Sequence, residues 1–78
     1  MSNKTDAEER RTAIALFRYT LILPLLRGDY QPGGKGRLRG QIAAGYYEIP
    51  HSSRHTVSVP TLGRWERRYN RDGFDGLK

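Results

Sequence analysis

The residues in this sequence best placed to do chemistry are arginines at helical spacing: Arg64, Arg67, Arg68 and Arg71. A guanidinium is planar, permanently charged and carries forked N–H donors, so it suits phosphate oxygens and guanine edges. On a wheel of ~100° per residue started at Thr61, these four fall on one side with Pro60 and Thr61. Leu62, Trp65 and Tyr69 fall on the other side. Such a helix can anchor one edge in its own domain and present the other to a groove. Solvated helix faces usually mix acids with bases. This face carries no acid, since Glu66 lies beside the aromatic edge. Trp65 and Tyr69 read as core, because the stripe they share with Leu62 is the only one able to bury the helix.

The element that must position these groups is a helix over 59–71. Ser58 is a good N-cap, Pro60 stands in the first turn where its missing donor costs nothing, and Gly73 is placed to end the helix as a left-handed C-cap. Phe74 and Leu77 supply apolar contacts after the turn. Two further helices are predicted. The first spans about 6–26, with Thr5 or Asp6 as cap, Glu8 and Glu9 in its first turn, and a stripe of Ile14, Phe17, Leu21 and Leu25. Leu16, Tyr19, Ile22, Leu23 and Leu26 make its later turns apolar nearly all round, so this end is either buried centrally or makes a homodimer or domain contact through Leu23 and Leu26. Pro24 should kink or end it near Leu23. The second helix spans 36–47, with Leu38, Ile42 and Tyr46 as an apolar edge and several small residues that allow a close crossing. Between these two lies a glycine-rich loop; between the second and third lies a polar loop, 48–57, anchored by Ile49. No strand pattern and no internal repeat appears. The fold expected is all-α: three helices of the homeodomain-like helix-turn-helix kind, with a long loop before the recognition helix. That loop exceeds the usual turn of about 3–4 residues, and Arg54 within it is a candidate for a phosphate backbone.

Composition agrees with a polyanion partner. The 78 residues make one domain with one modest core. Fourteen Lys and Arg oppose eight Asp and Glu, for a net charge of +6. From Lys35 to Arg71 the asymmetry is concentrated: eight cations face only Glu48 and Glu66. There is no cysteine, which excludes disulfides and zinc–thiolate sites. The apolar run from Tyr19 to Leu26 is far shorter than the ~20 residues of a membrane span, so no membrane partner is expected.

Other motifs carry less. His51 and His55 are four apart on a loop without a cysteine or acid beside them, so no metal site is expected. Arg27-Gly28-Asp29 matches a cell-adhesion tripeptide and reads as chance. Gly33-Gly34-Lys35-Gly36 lacks the spacing and the preceding strand of a phosphate loop. No cofactor is implied.

At Thr61-Leu-Gly-Arg-Trp-Glu-Arg-Arg-Tyr-Asn-Arg-Asp-Gly-Phe-Asp-Gly-Leu-Lys78 the sequence resembles the N-terminal region of bacterial DDE transposases and integrases, and upstream the ALFRYTLILPLL and IA…YEIP…VSVPTL stretches resemble a branch of integrase-core proteins related to phage Mu-like transposases. Their helix-turn-helix ends in T-L-x-R-W-x-x-R-Y-x-x-x-G-x-x-G-L. Thr61, Leu62, Arg64, Trp65, Arg68, Tyr69, Gly73, Gly76 and Leu77 match it, and weaker likeness extends back to Ala13. The resemblance implies sequence-specific binding of double-stranded DNA, as in holding an element's terminal repeats. It further implies a bacterial cytoplasmic, nucleoid-associated location. The catalytic core of such enzymes is absent from this chain, so no enzymatic activity is expected of it; Asp6, Asp29, Asp72 and Asp75 are not read as catalytic. Because family members continue toward that core, the chain is expected to be one domain of a longer parent or a truncated product.

Within helix-turn-helix physics the N-terminal residues of the recognition helix meet base edges and flanking cations hold phosphates. Thr61 and Arg64 are therefore assigned to bases and Arg67 and Arg71 to the backbone, with Arg68 suited to either. Arg37, Arg39 and Arg54 are weaker phosphate candidates. A stand-alone transcription regulator would use the same physics on an operator. A protein–protein or oligomerisation module is the alternative from another class, motivated by the apolar first helix.

Overall fold

The computed structural model describes residues 3–28 and 30–78, with side chains from Asp6 onward. Three α-helices follow one another: α1 is Asn3–Arg27, α2 is Gly34–Ala43 and α3 is Val59–Asp72. A 3₁₀ turn, Gly73–Leu77, closes the chain. No strand occurs among the described residues. The all-α class expected from the hydrophobic pattern is what forms.

α1 is free of glycine and rich in alanine, leucine and arginine, all good helix formers. It starts earlier than the caps suggest, so Asp6 falls in its first turn and Glu8 and Glu9 beyond it. It also runs through Pro24 to Arg27, whereas the proline was expected to end or kink it near Leu23. Proline at 24 removes the bond to the Thr20 carbonyl, but both residues are exposed, so water can serve that carbonyl. Leu21, Ile22 and Leu25 around it are buried and hold the helix in place. The buried face of α1 is centred on Ala15 and Ile22, each fully buried, with Ile14 and Phe17 only half-buried. Leu26 packs on the chain's own core rather than standing free, and Leu23 is half-buried. The leucine that α1 does leave in solvent is Leu16, 53% exposed.

α2 begins two residues before its predicted start and stops at Ala43, not Tyr47. Three glycines weaken it, and it has no side-chain cap and no fully buried residue. Its stability is tertiary: Leu38, Ile42 and Ala43 pack on the core. Its C-terminal end is held by Tyr47, whose hydroxyl donates to the Ile42 carbonyl at 2.6 Å and whose ring meets Phe17 edge-on. Tyr46 does not extend the apolar edge of α2. It lies past the helix end, 73% exposed, stacked on His55 at 4.6 Å.

α3 forms as its signals dictate. Ser58 has extended backbone and its Oγ accepts from the Thr61 amide. Leu62, Trp65 and Glu66 are its buried residues, with Tyr69 packed against the core and against Tyr19. Gly73 ends it at φ 70°, ψ −153°, not in the left-handed helical region but in one that only glycine enters readily. The chain then turns back so closely that a Cβ at Gly76 would collide with the Arg68 carbonyl. This turn delivers Leu77, fully buried, beneath α1 and α3.

The 44–58 connection is ordered by its own hydrogen bonds. The Tyr47 amide donates to the His55 carbonyl at 2.8 Å, and the His55 ring Nδ1 lies 2.9 Å from the Tyr47 carbonyl. Ile49 packs on the core and Val57 is buried. The loop is thus a closed flap seated on the domain, not a bare tether.

Candidate nucleic-acid interface

The two sides of α3 separate as the wheel predicts. Leu62 and Trp65 are buried, and Arg64, Arg67, Arg68 and Arg71 are all exposed. Arg64, Arg67 and Arg68 have no carboxylate partner among the described residues. Arg71 is bonded to its neighbour Asp72 at 2.8 Å, but both side chains are largely in water. Such a pair contributes little and yields readily to a competing anion. Thr61 is half-buried, its hydroxyl 2.9 Å from that of Ser58. It sits at the start of the arginine face.

Arg39, a phosphate candidate from the sequence, is engaged within the fold. Its Nε donates to Glu66 Oε2 at 2.7 Å, while Lys35 Nζ holds Oε1 at 2.9 Å. The Glu66 carboxylate is almost wholly buried between α2 and α3. Burial by itself would raise its pKa; hydrogen bonds from Arg39 and Lys35, together with their charges, prevail and hold it below the usual carboxylate range. The hydrogen bond to Glu66 in turn raises Arg39 above the ordinary arginine value. Two cations of the basic half are therefore fastened inward. Arg37 and Arg54 remain exposed without carboxylate partners among the described residues.

Two features escaped the sequence pattern. Arg18 is a charge inside the apolar stretch of α1, half-buried, with its guanidinium 5.1 Å over the Trp65 ring and Nη1 donating to the Leu77 carbonyl at 3.0 Å. Burial, and then the neighbouring Arg68, pull its pKa down from the usual arginine value. The signal for it was available: a lone arginine in an otherwise apolar run has to find a purpose. The second is a cleft of about 620 Å³ between α1, the loop and the first turn of α3, with Arg18 and Arg54 among its walls.

His51 and His55 belong to no group of three or more metal-ligating side chains among the described residues. No helix among them is long and apolar enough to cross a membrane. Asp29 lies outside the described residues, as does the Thr5 side chain. No family model matches the chain, and comparison with curated proteins and with solved structures gave no match.

Proposed function

We propose that this chain binds double-stranded DNA, with α3 as the recognition helix of a helix-turn-helix arrangement in which α2 is the preceding helix. The observation that carries the reading is the unneutralised arginine face of a helix whose opposite side is fixed in the core. Three exposed guanidiniums without carboxylates are held on one rigid rod, which is the charge pattern that phosphates and base edges require. α2 supports this by packing on α3 and neutralising Glu66, an acid of α3 that would otherwise repel a phosphate. Thr61 and Arg64 read bases, Arg67 and Arg71 hold phosphates, Arg68 serves either, and Arg37 and Arg54 flank them. The likeness of residues 61–77 to transposase N-terminal regions makes terminal repeats of a mobile element the first DNA to try.

The test is a titration of DNA by the pure chain at several salt concentrations, after selection of bound sequences from a random pool. If about four to six cations meet phosphates, log affinity falls with log salt at a slope near −0.9 per contact. A flat salt response would overturn the reading and favour an interaction module instead.

A further inference from the structure

A cleft lies between α1, the 44–58 loop and the first turn of α3. Its floor is apolar, with Ile14, Phe17, Val57 and Trp65, and its walls carry Arg18, Arg54, His51 and His55. Ser52, Thr56, Ser58 and Thr61 add hydroxyls, and no acid lines it. Arg18 comes from α1, Arg54 and both imidazoles from the loop. A half-open cleft of about 620 Å³ with an apolar lining and a few polar donors has the size and make-up of a ligand site.

Arg18 sharpens the chemistry. A half-buried charge is normally paired, because removal from water is costly. Arg18 has no carboxylate partner among the described residues, only the Leu77 carbonyl and the Trp65 ring, and its charged neighbour is another cation, Arg68. The single Nη1 bond to Leu77 leaves further N–H donors of the fork to serve a ligand. A group suited to those donors is an anion able to accept several N–H and O–H bonds at once.

We propose that this cleft is a phosphate-binding site, with Arg18 as its inner fork and Arg54 as its outer one. A phosphate group offers several acceptor oxygens, and forked guanidiniums bind such groups with two parallel bonds. Two sources carry that chemistry: a backbone phosphate of a duplex lying on α3, or a free phosphate ester. The first form rests on the DNA reading, since Thr61 belongs both to the cleft and to the start of the α3 face. The second stands without it.

The experiment is nuclear magnetic resonance titration of the labelled full chain with deoxyadenosine monophosphate, deoxyadenosine and a random-sequence duplex. If the ligand is a free ester, the monophosphate shifts the amides of 49–57 and the Arg18 side chain, and the nucleoside does not. If it is a backbone phosphate, only the duplex shifts them. In either case Arg54→Ala weakens the binding that causes the shifts by roughly tenfold, the scale of one charge-assisted contact. Arg18→Lys, which keeps the charge and loses the fork, weakens it as well; should that variant fail to fold, Arg54→Ala alone decides. Binding of the monophosphate without any duplex binding would sink the DNA reading and leave the cleft site standing. Equal response to nucleoside and monophosphate, no response in the cleft, or full affinity in Arg54→Ala would overturn the proposal.

Discussion

Arginines and a lysine lie on both flanks of α3, and they meet opposite fates. On the α2 flank Lys35 and Arg39 close on Glu66, so that three charges become one compact bonded unit. On the outer flank Arg64, Arg67 and Arg68 stand in solvent without a carboxylate. The residue types are alike; the difference is one buried acid. Cations on the inner flank act on the fold, joining a weak, glycine-rich α2 to the well-anchored α3. Cations on the outer flank form no ion pair among the described residues and repel one another, which leaves them free to meet an outside anion.

The comparison can be broken first at its shared support. Trp65 lies under both flanks, buried against the core and beneath the Arg18 guanidinium. Trp65→Ala should cost about 3–5 kcal/mol, a large part of what so small a domain has. DNA binding should then be lost through unfolding, visible as a collapse in thermal melting. A variant that melts like the parent yet fails to bind would mean that Trp65 touches DNA itself.

The inner flank can be broken alone. Glu66→Gln keeps the shape but removes the charge that Lys35 and Arg39 serve, and should cost about 1–3 kcal/mol. The pH dependence has a definite sign. Because the fold holds the Glu66 carboxyl below its ordinary value, the unfolded chain binds that proton more tightly. The contribution is complete above the ~4.3 of an unfolded glutamate and is lost as pH falls through the lower folded value. Glu66→Gln should abolish that part of the acid loss in denaturant melts from neutral to acid pH. It should also free Lys35 and Arg39, so that random DNA binds more tightly wherever both proteins are folded. A variant with unchanged stability would show the clamp to be idle.

These two breaks mark what the sequence made legible. Helix α3, its Ser58 cap, its buried edge and its arginine face followed from side-chain spacing over a single helix, which one sequence contains in full. The fate of Arg39 did not, because it depends on a contact across 27 positions that local periodicity does not encode. The same is true of Arg18, whose partners lie in α3 and at Leu77. The end of α2 is not legible either, because Tyr46 keeps the four-residue spacing while lying beyond the helix, stacked on His55. Whether α1 ends at Pro24 is not legible in the sequence, because the cost of a proline there depends on whether the freed carbonyl faces water, and exposure is a tertiary fact.

The outer flank is sharpened by separating reading from holding. Arg64 sits early on α3, exposed and without a carboxylate partner among the described residues. Arg64→Ala should cost about 1–3 kcal/mol on a cognate site and relax preference at one base pair. Binding curves on cognate and random duplexes check this. Equal losses on both would reassign Arg64 to the backbone.

Arg71 should give the smallest effect, and the reason is local. It stands at the last turn of α3, where the guanidinium is bonded to Asp72 with 73% and 46% of the two side chains exposed. An exposed pair of this kind is worth at most about 1 kcal/mol, so a phosphate can take the place of Asp72 at little cost. The exchange nevertheless offsets part of the gain from the new contact. Arg71→Ala should therefore weaken cognate and random DNA alike, by less than Arg64→Ala does on the cognate site, and lower the salt slope by about one. Asp72→Asn supplies the converse. It removes the competitor and the nearby negative charge while leaving Arg71 in place, so affinity for any duplex should rise. If Arg71→Ala leaves the slope unchanged while Asp72→Asn still strengthens binding, Asp72 acts by repelling the backbone and Arg71 only shields it.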